Sequence, residues 1–234
     1  MVDREIRAVI FDIDGTLVDS LDAYYEVFNR GVAHLNAGPL AKDALRDYLA
    51  KGLGLREIIE KVSPLPIDDA TYKMCREEIH RLFRQVELEG VKLFPGTEEL
   101  FRHLAGKGIK IGVATGRTSA PEEEQARFAR LGLDPYISAI VTSRDIQHRK
   151  PAPDVIIECA RRLDVPLKAC VVVGDTEPDV AAARQAGAVS VAVTTGHDDE
   201  KVLLKARPDM LFRTIRDLMV FMESPPMEGA SDAF

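Results

Sequence analysis

Five short apolar runs punctuate the chain, at residues 6–11, 109–114, 139–142, 169–173 and 189–193. Each has the length of a buried strand, β-branched residues recur in them, and each runs into a loop. Stretches with helical spacing of apolar positions lie between most of them, at 97–106, 122–131, 154–163 and 179–186. Gly106, Gly132 and Gly187 stand where three of these helices should stop. Strand–helix alternation of this kind predicts an α/β fold, a Rossmann-like parallel sheet with helices on both faces.

Residues 17–89 have a different texture. No strand pattern stands out there, and four helical segments are expected at 20–35, 41–50, 55–61 and 69–86, with Val62–Asp69 (VSPLPIDD) as the break before the last. A helical block of this size, placed straight after the first strand, predicts a separate small α-helical domain inserted into the first crossover. The expected organisation is an α/β core from residues 1–16 and 90–223, the helical domain at 17–89, and a flexible tail at 224–234 (SPPMEGASDAF) rich in Pro, Gly and Ser.

Composition narrows the function classes. Hydrophobic residues make up 46% of the 234-residue chain, enough for a sizeable core. The net charge of −7 disfavours nucleic acid and anionic membrane as partners. A phosphate-bearing ligand must therefore be held by local cations. No run of about 20 apolar residues predicts a membrane helix, and the apolar stretch at 8–11 is too short for a signal peptide. Cys75, Cys159 and Cys170 are widely spaced, which predicts reduced thiols and a cytoplasmic location.

Four strand ends carry the candidate chemistry. The first run leads into Asp12-Ile13-Asp14-Gly15-Thr16, two carboxylates where ligands of open α/β sheets bind. Such acids also occur in plain solvated turns. The second leads into Thr115-Gly116-Arg117, a hydroxyl and a flexible N–H suited to phosphate oxygens, or equally to a helix cap. Arg149-Lys150-Pro151-Ala152-Pro153-Asp154 presents an ammonium just before a stiffened segment. Gly174-Asp175-Thr176-Glu177-Pro178-Asp179 adds two acids at the same predicted edge, although Asp179 also suits a helix start. Hard oxygen ligands beside a phosphate site suggest Mg²⁺.

In their order and placement these motifs resemble the haloacid dehalogenase-like hydrolases, in the branch with a helical cap after the first strand. The matching stretches are DIDGTLVDS at 12–20, VATGR at 113–117, RKPAPD at 149–154 and VVGDTEPDV at 172–180. Phosphoglycolate phosphatase-like and β-phosphoglucomutase-like proteins are the relatives suggested. The resemblance implies Asp12 as nucleophile and Asp14 as general acid and base. It implies Asp12, the backbone carbonyl of Asp14 and Asp175 as Mg²⁺ ligands, with Asp179 supporting. Thr115, Gly116 and Lys150 would hold the transferred phosphoryl group. It implies a cap that closes over the site and sets specificity, with Lys51 and Arg56 in the cap loop and Arg117 in the core as candidates.

The expected activity is thus Mg²⁺-dependent hydrolysis of a small phosphorylated metabolite, a phosphoglycolate-like phosphomonoester first among them, through an aspartyl-phosphate. A phosphosugar mutase is the alternative, since it uses the same core motifs. A phospho-accepting signalling module ranks below it, because such a module needs neither Asp14 nor a cap. A dehalogenase needs no second acid or metal, and no phosphonatase cap lysine is identifiable. Oligomeric state, monomer or homodimer, is left open. His34, His80, His103, His148 and His197 lack ligand spacing to another His or Cys and are assigned surface or structural roles; His148, near Lys150, is the one expected to approach the site.

Overall fold

The first apolar run forms β1 (Ala8–Phe11), buried along its whole length. The computed structural model, which describes residues 5–35 and 38–223, sets β1 in the middle of a parallel sheet. The other strands are β2 (Val18–Asp19), β3 (Lys92–Leu93), β4 (Lys110–Ala114), β5 (Ile137–Val141), β6 (Cys170–Gly174), β7 (Val189–Val193) and β8 (Met210–Phe212). The main sheet has six strands in the order β5-β4-β1-β6-β7-β8. Val9 pairs with Ile111 on one side and Val171 on the other. The chain winds outward from β1 through β4 to β5, then returns to β6 and winds the opposite way. The carboxyl ends beside this reversal are where ligands of open α/β sheets bind.

Ten α-helices accompany the strands among the described residues: α1 (Leu21–Gly31), α2 (Lys42–Ala50), α3 (Leu55–Val62), α4 (Asp69–Gly90), α5 (Thr97–Gly106), α6 (Pro121–Arg130), α7 (Asp154–Leu163), α8 (Glu177–Ala186), α9 (Glu200–Ala206) and α10 (Ile215–Glu223). The alternation of side chains along β1 divides the core in two. Val9 and Phe11 pack with Leu100 and Phe101 of α5, Phe128 of α6 and Leu218 of α10. Ala8 and Ile10 pack on the other face with Ile156 and Cys159 of α7 and Ala182 of α8. Both faces of the sheet are covered, which explains why its strands read as unbroken apolar runs. All three thiols are buried and free.

Helices α1 to α4 bury a core of their own, built from Phe28, Leu45, Ile58, Ile79 and Phe83 among others. The chain leaves the sheet and returns to it through an antiparallel ribbon in which Val18 of β2 pairs with Leu93 of β3. Leu17 and Val18 pack into the main core. The expectation of no strand after Leu17 is corrected here: two residues are too few to show any periodicity. Arg46 of α2 ties the helical block to the core, donating from Nε to the His197 carbonyl at 2.7 Å and from Nη2 to Gly196 at 3.1 Å.

Other differences from expectation are local. The first cap helix stops at Gly31 and continues as a 3₁₀ turn at Ala33–Leu35, while α4 extends past residue 86 to Gly90. Strand β8 and helices α9 and α10 had no predicted counterpart. Strand β8 is three residues long and only half-buried at the sheet edge, so it carries little apolar signal. The tail expected at 224–234 lies outside the described residues. Among the described residues, no helix is long and apolar enough to cross a membrane.

Candidate active site

Strands β1, β4 and β6 are adjacent, so the residues that follow them meet at one edge. Asp12, Asp14, Thr115, Gly116, Arg117, Lys150, Asp175 and Asp179 all line one cavity of about 420 Å³ between the sheet and the helical block. Strand order brings together the residues after β1, β4 and β6, and the loop between β5 and α7 carries Lys150 to the same edge.

Asp12 follows β1, with its N–H donated to the Val173 carbonyl at 2.9 Å. The Lys150 ammonium donates to Asp12 Oδ1 at 2.7 Å and to the Ala114 carbonyl at 2.8 Å, and stands 2.6 Å from Asp179 Oδ1. Three acceptors thus match the three protons of the ammonium. The opposite oxygen of Asp179 accepts the Thr176 N–H at 3.1 Å and so caps α8. One carboxylate serves both readings weighed for it, a helix start and a support for Lys150. Burial, with the charges of Asp179, Asp175 and Asp14, outweighs Lys150 and lifts the pKa of Asp12 from 3.8 to about 7. Lys150 is held charged, its pKa raised because Asp12 and Asp179 overcome the cost of burial.

Asp14 faces a different environment. Arg117 donates to it twice, Nε to Oδ2 and Nη2 to Oδ1, each at 2.7 Å. The Ser20 hydroxyl donates to Oδ1 at 2.6 Å and the Tyr24 hydroxyl, from the cap, to Oδ2 at 3.3 Å. Burial opposes ionisation, but the charge and hydrogen bonds of Arg117 and Ser20 win and lower the pKa. Arg117 is itself fixed by Glu124 at 3.1 Å and lies under the ring of Phe83 from α4, 5.4 Å from its centroid. Its guanidinium links the acid, the core and the cap.

Asp175 has no exposed surface. Thr16 donates to Oδ1 at 2.9 Å, and the His197 N–H and Nδ1 both approach Oδ2 at 2.8 Å. Gly15, at φ +82°, and Gly196 press their backbones against this carboxylate; a Cβ at either position would overlap it. His197 was assigned a surface or structural role, and the structure corrects this. It is 8% exposed, lines the cavity, and has its Nε2 buried with no partner among the described residues. Burial works against its charge, yet the hydrogen bond to Asp175 and the nearby acids raise its pKa to about 9. The signal was present in the sequence: His197 follows a predicted strand, so its loop had to reach the same edge. Its partner is neither His nor Cys but an Asp 22 residues away in the chain.

The cap loop also differs from expectation. Gly52, Leu53 and Leu55 line the cavity, but Lys51 and Arg56 do not. Lys51 turns back to Asp47 at 2.6 Å, and Arg56 pairs with Glu60 at 2.9 Å and Asp69 at 2.7 Å while lying over Tyr72. These helix-surface ion pairs at four-residue spacing account for both side chains. His148 is likewise outside the cavity, exposed and 2.9 Å from Asp154. His80, on α4, lines it instead.

The donor set suits a hard divalent cation. Among the described residues, no three His, Cys, Asp or Glu side chains form a ready-made cage. Mg²⁺ needs none, since it binds one or two carboxylates and keeps several waters. Four carboxylates, those of Asp12, Asp14, Asp175 and Asp179, converge on one cavity wall and their mutual repulsion hinders ionisation of Asp12. A cation beside Asp12 and Asp175 relieves that repulsion.

Known proteins share both the sequence and the architecture. The phosphoglycolate phosphatase of Shigella boydii is 26% identical over 247 residues, covering 97% of this chain and 96% of its own. The crystal structure of a predicted phosphoglycolate phosphatase from Haemophilus somnus superposes with a TM-score of 0.81 at 20% identity, covering 94% of this chain and 99% of that one. The β-phosphoglucomutase of Clostridium difficile gives a TM-score of 0.77 at 20% identity over 91% and 93% of the two chains, a likeness of fold. Residues 9–193 match the haloacid dehalogenase-like hydrolase family, and with these residues reaching from β1 through β7 the chain belongs to that family.

Proposed function

We propose that this chain is a Mg²⁺-dependent phosphatase of a small phosphorylated metabolite, a phosphoglycolate-like phosphomonoester, working through an aspartyl-phosphate on Asp12. The observation that carries this reading is the pairing of Asp12 with Lys150 at 2.7 Å, beside a second acid held separately. Asp12 and Lys150 provide a nucleophile and a fixed cation for the same phosphoryl group. The near full-length likeness to a phosphoglycolate phosphatase supports the phosphomonoester class.

In the first step an oxygen of Asp12 attacks phosphorus and the ester P–O bond breaks. Asp14 gives its proton to the departing alkoxide. In the second step Asp14 takes a proton from water, which attacks phosphorus and breaks the acyl-phosphate bond. Thr115, the Gly116 N–H and Lys150 hold the phosphoryl oxygens, where developing charge is stabilised. Asp12, the Asp14 carbonyl and Asp175 would hold Mg²⁺, which when bound would supply a positive charge that keeps Asp12 ionised and offsets its repulsion from the phosphate. Asp179 keeps Lys150 aimed at Asp12. Asp14 enters the cycle as an anion under Arg117, the form that accepts a proton. To act first as an acid it must exchange that grip for a proton.

The test is phosphate release from a panel of phosphoglycolate, pyrophosphate, hexose phosphates and nucleotides, with Mg²⁺ and with EDTA. Metal-dependent release with a clear preference supports the reading. Interconversion of sugar-phosphate isomers with little net release would replace it with the mutase. A long-lived acyl phosphate without turnover would replace it with the signalling module.

A further inference from the structure

The segment proposed to bind the phosphoryl group is held from behind by the loop that follows β5. Residues 143–150 send donors to the carbonyls at the end of β4 and just beyond it. Lys150 Nζ donates to the Ala114 carbonyl at 2.8 Å. Arg149 donates from Nη2 to the Gly116 carbonyl at 2.6 Å. Ser143 supplies the rest. Its N–H donates to the Arg117 carbonyl at 3.0 Å. Its hydroxyl oxygen lies 2.8 Å from the Gly116 carbonyl and 2.6 Å from the Arg117 carbonyl, so one hydroxyl proton is shared between two acceptors. The Arg117 N–H donates in turn to Thr115 Oγ1 at 3.2 Å. The peptide joining Gly116 to Arg117 is therefore pinned at both of its polar ends. Ser143 itself does not line the cavity, while Thr115 and Gly116 do.

This pinning reserves two donors. Thr115 is 2% exposed and accepts at Oγ1, yet its own proton has no acceptor among the described residues, and the Gly116 N–H has none either. Gly116 is where the arrangement is easiest to lose. Without a Cβ its backbone rotates freely, and a Cβ there would come no nearer than 3.7 Å to Arg149, the closest group beyond its chain neighbours. Hydrogen bonds, not close packing, hold this peptide. A flipped peptide would turn a carbonyl oxygen toward an anion, and like partial charges repel strongly in a buried site. Of the two side chains on the Gly116 carbonyl, Arg149 is exposed and Ser143 is half-buried. We propose that Ser143 is a positioning residue for phosphoryl transfer: it holds the Gly116 and Arg117 carbonyls so that the Thr115 hydroxyl and the Gly116 N–H are presented to the phosphoryl oxygens. This rests on the phosphatase reading and adds to it a residue that acts through the phosphate-binding segment. The same donors receive the product phosphate, so the role is measurable without turnover.

The test is calorimetry of inorganic phosphate binding in excess Mg²⁺, on the wild type, Ser143→Ala and Ser143→Thr, each shown to be folded by circular dichroism. Ser143→Ala should bind phosphate about tenfold more weakly, the size of one lost hydrogen bond. Ser143→Thr keeps the hydroxyl and should bind as the wild type does. In parallel, kcat/KM for p-nitrophenyl phosphate should fall in Ser143→Ala by at least as much and recover in Ser143→Thr. Equal phosphate affinity in all three proteins, or an equal loss in Ser143→Ala and Ser143→Thr, overturns the positioning role. So does a lower unfolding temperature with unchanged affinity, which makes Ser143 a packing residue, and so does a wild type that binds no phosphate. If Ser143→Ala does not fold, Ser143→Cys takes its place under the same criteria, with nearly the same shape and only a weak donor. Absence of phosphate release from every substrate overturns the phosphatase reading instead, and the binding comparison still decides for or against Ser143.

Discussion

Arg117 grips Asp14 through two parallel hydrogen bonds of 2.7 Å, so the proposed acid–base residue is held as a carboxylate before substrate arrives. The side chains are 8% and 15% exposed, and little water screens the pair. A depressed carboxylate pKa contributes stability above the unfolded value and loses it as pH falls through the folded value. Arg117→Gln should therefore cost about 3 kcal/mol near neutral pH, with the deficit shrinking in acid. Denaturant unfolding of both proteins from pH 7 downward checks this. A deficit that does not change with pH would show that Arg117 acts by packing alone.

The same substitution removes the positive charge that favours ionised Asp14, leaving burial to raise its pKa. The limb of the kcat profile that requires protonated Asp14 should then move to higher pH. Arg117→Lys should move it less. Superimposable profiles for all three proteins would separate Arg117 from the protonation of Asp14.

Asp12 is shifted the other way, from 3.8 to about 7. The folded protein without metal binds a proton that the unfolded chain has released, so its stability should fall as pH rises from about 4 to 7. Mg²⁺ competes with that proton. Thermal stabilisation by Mg²⁺ should be larger at pH 7.5 than at pH 5 and should vanish in Asp12→Asn. Equal stabilisation at both pH values would place the metal away from Asp12.

His197 fixes one oxygen of Asp175 with two donors at 2.8 Å. Outer partners of this kind orient metal-binding carboxylates, and losing one typically weakens metal affinity 10–100-fold. His197→Gln should raise the Mg²⁺ concentration needed for half-maximal activity by about tenfold, and should weaken metal-induced thermal stabilisation in parallel. An unchanged Mg²⁺ titration would make His197 a packing residue.

Arg46 makes its two hydrogen bonds from the cap to the His197 loop. The cap has an apolar core of its own, so Arg46→Ala should move the unfolding midpoint little. It should lower kcat/KM roughly tenfold, because hydrogen bonds to a charged donor are worth about 1.5–3 kcal/mol. Undiminished kcat/KM would mean that this link does not govern closure.

The core was legible in the sequence because its signals are strong and local. Runs such as 109–114 and 169–173 are buried on both faces of the sheet and read as unbroken apolar stretches. Asp12 and Asp175 stand directly after β1 and β6, whose ends parallel winding brings together, and Lys150 reaches the same edge from the loop between β5 and α7. Lys51 and Arg56 were misjudged although Asp47 and Glu60 stand four residues from each, a spacing that already offered them local partners. His197 and Arg46 are harder to read from the sequence. His197 meets Asp175 where the loops after β6 and β7 come together in the core, and Arg46 meets the same loop through the packing of cap on core; no periodicity records either contact. The grip of Arg117 on Asp14 spans 103 residues and depends on the same closure of distant segments.

The central claim is that Asp12 carries the phosphoryl group. The most direct measurement uses Asp14→Asn with p-nitrophenyl phosphate and Mg²⁺, followed by acid quench and peptide mass mapping. This leaving group needs no proton from Asp14, so the first step proceeds, while the second lacks its base and stalls. A phosphoryl group should accumulate on the peptide containing Asp12, in step with a burst of nitrophenol, and should be absent from Asp12→Asn. Steady nitrophenol release without any phosphorylated peptide, or a phosphoryl group on another residue, would contradict the account.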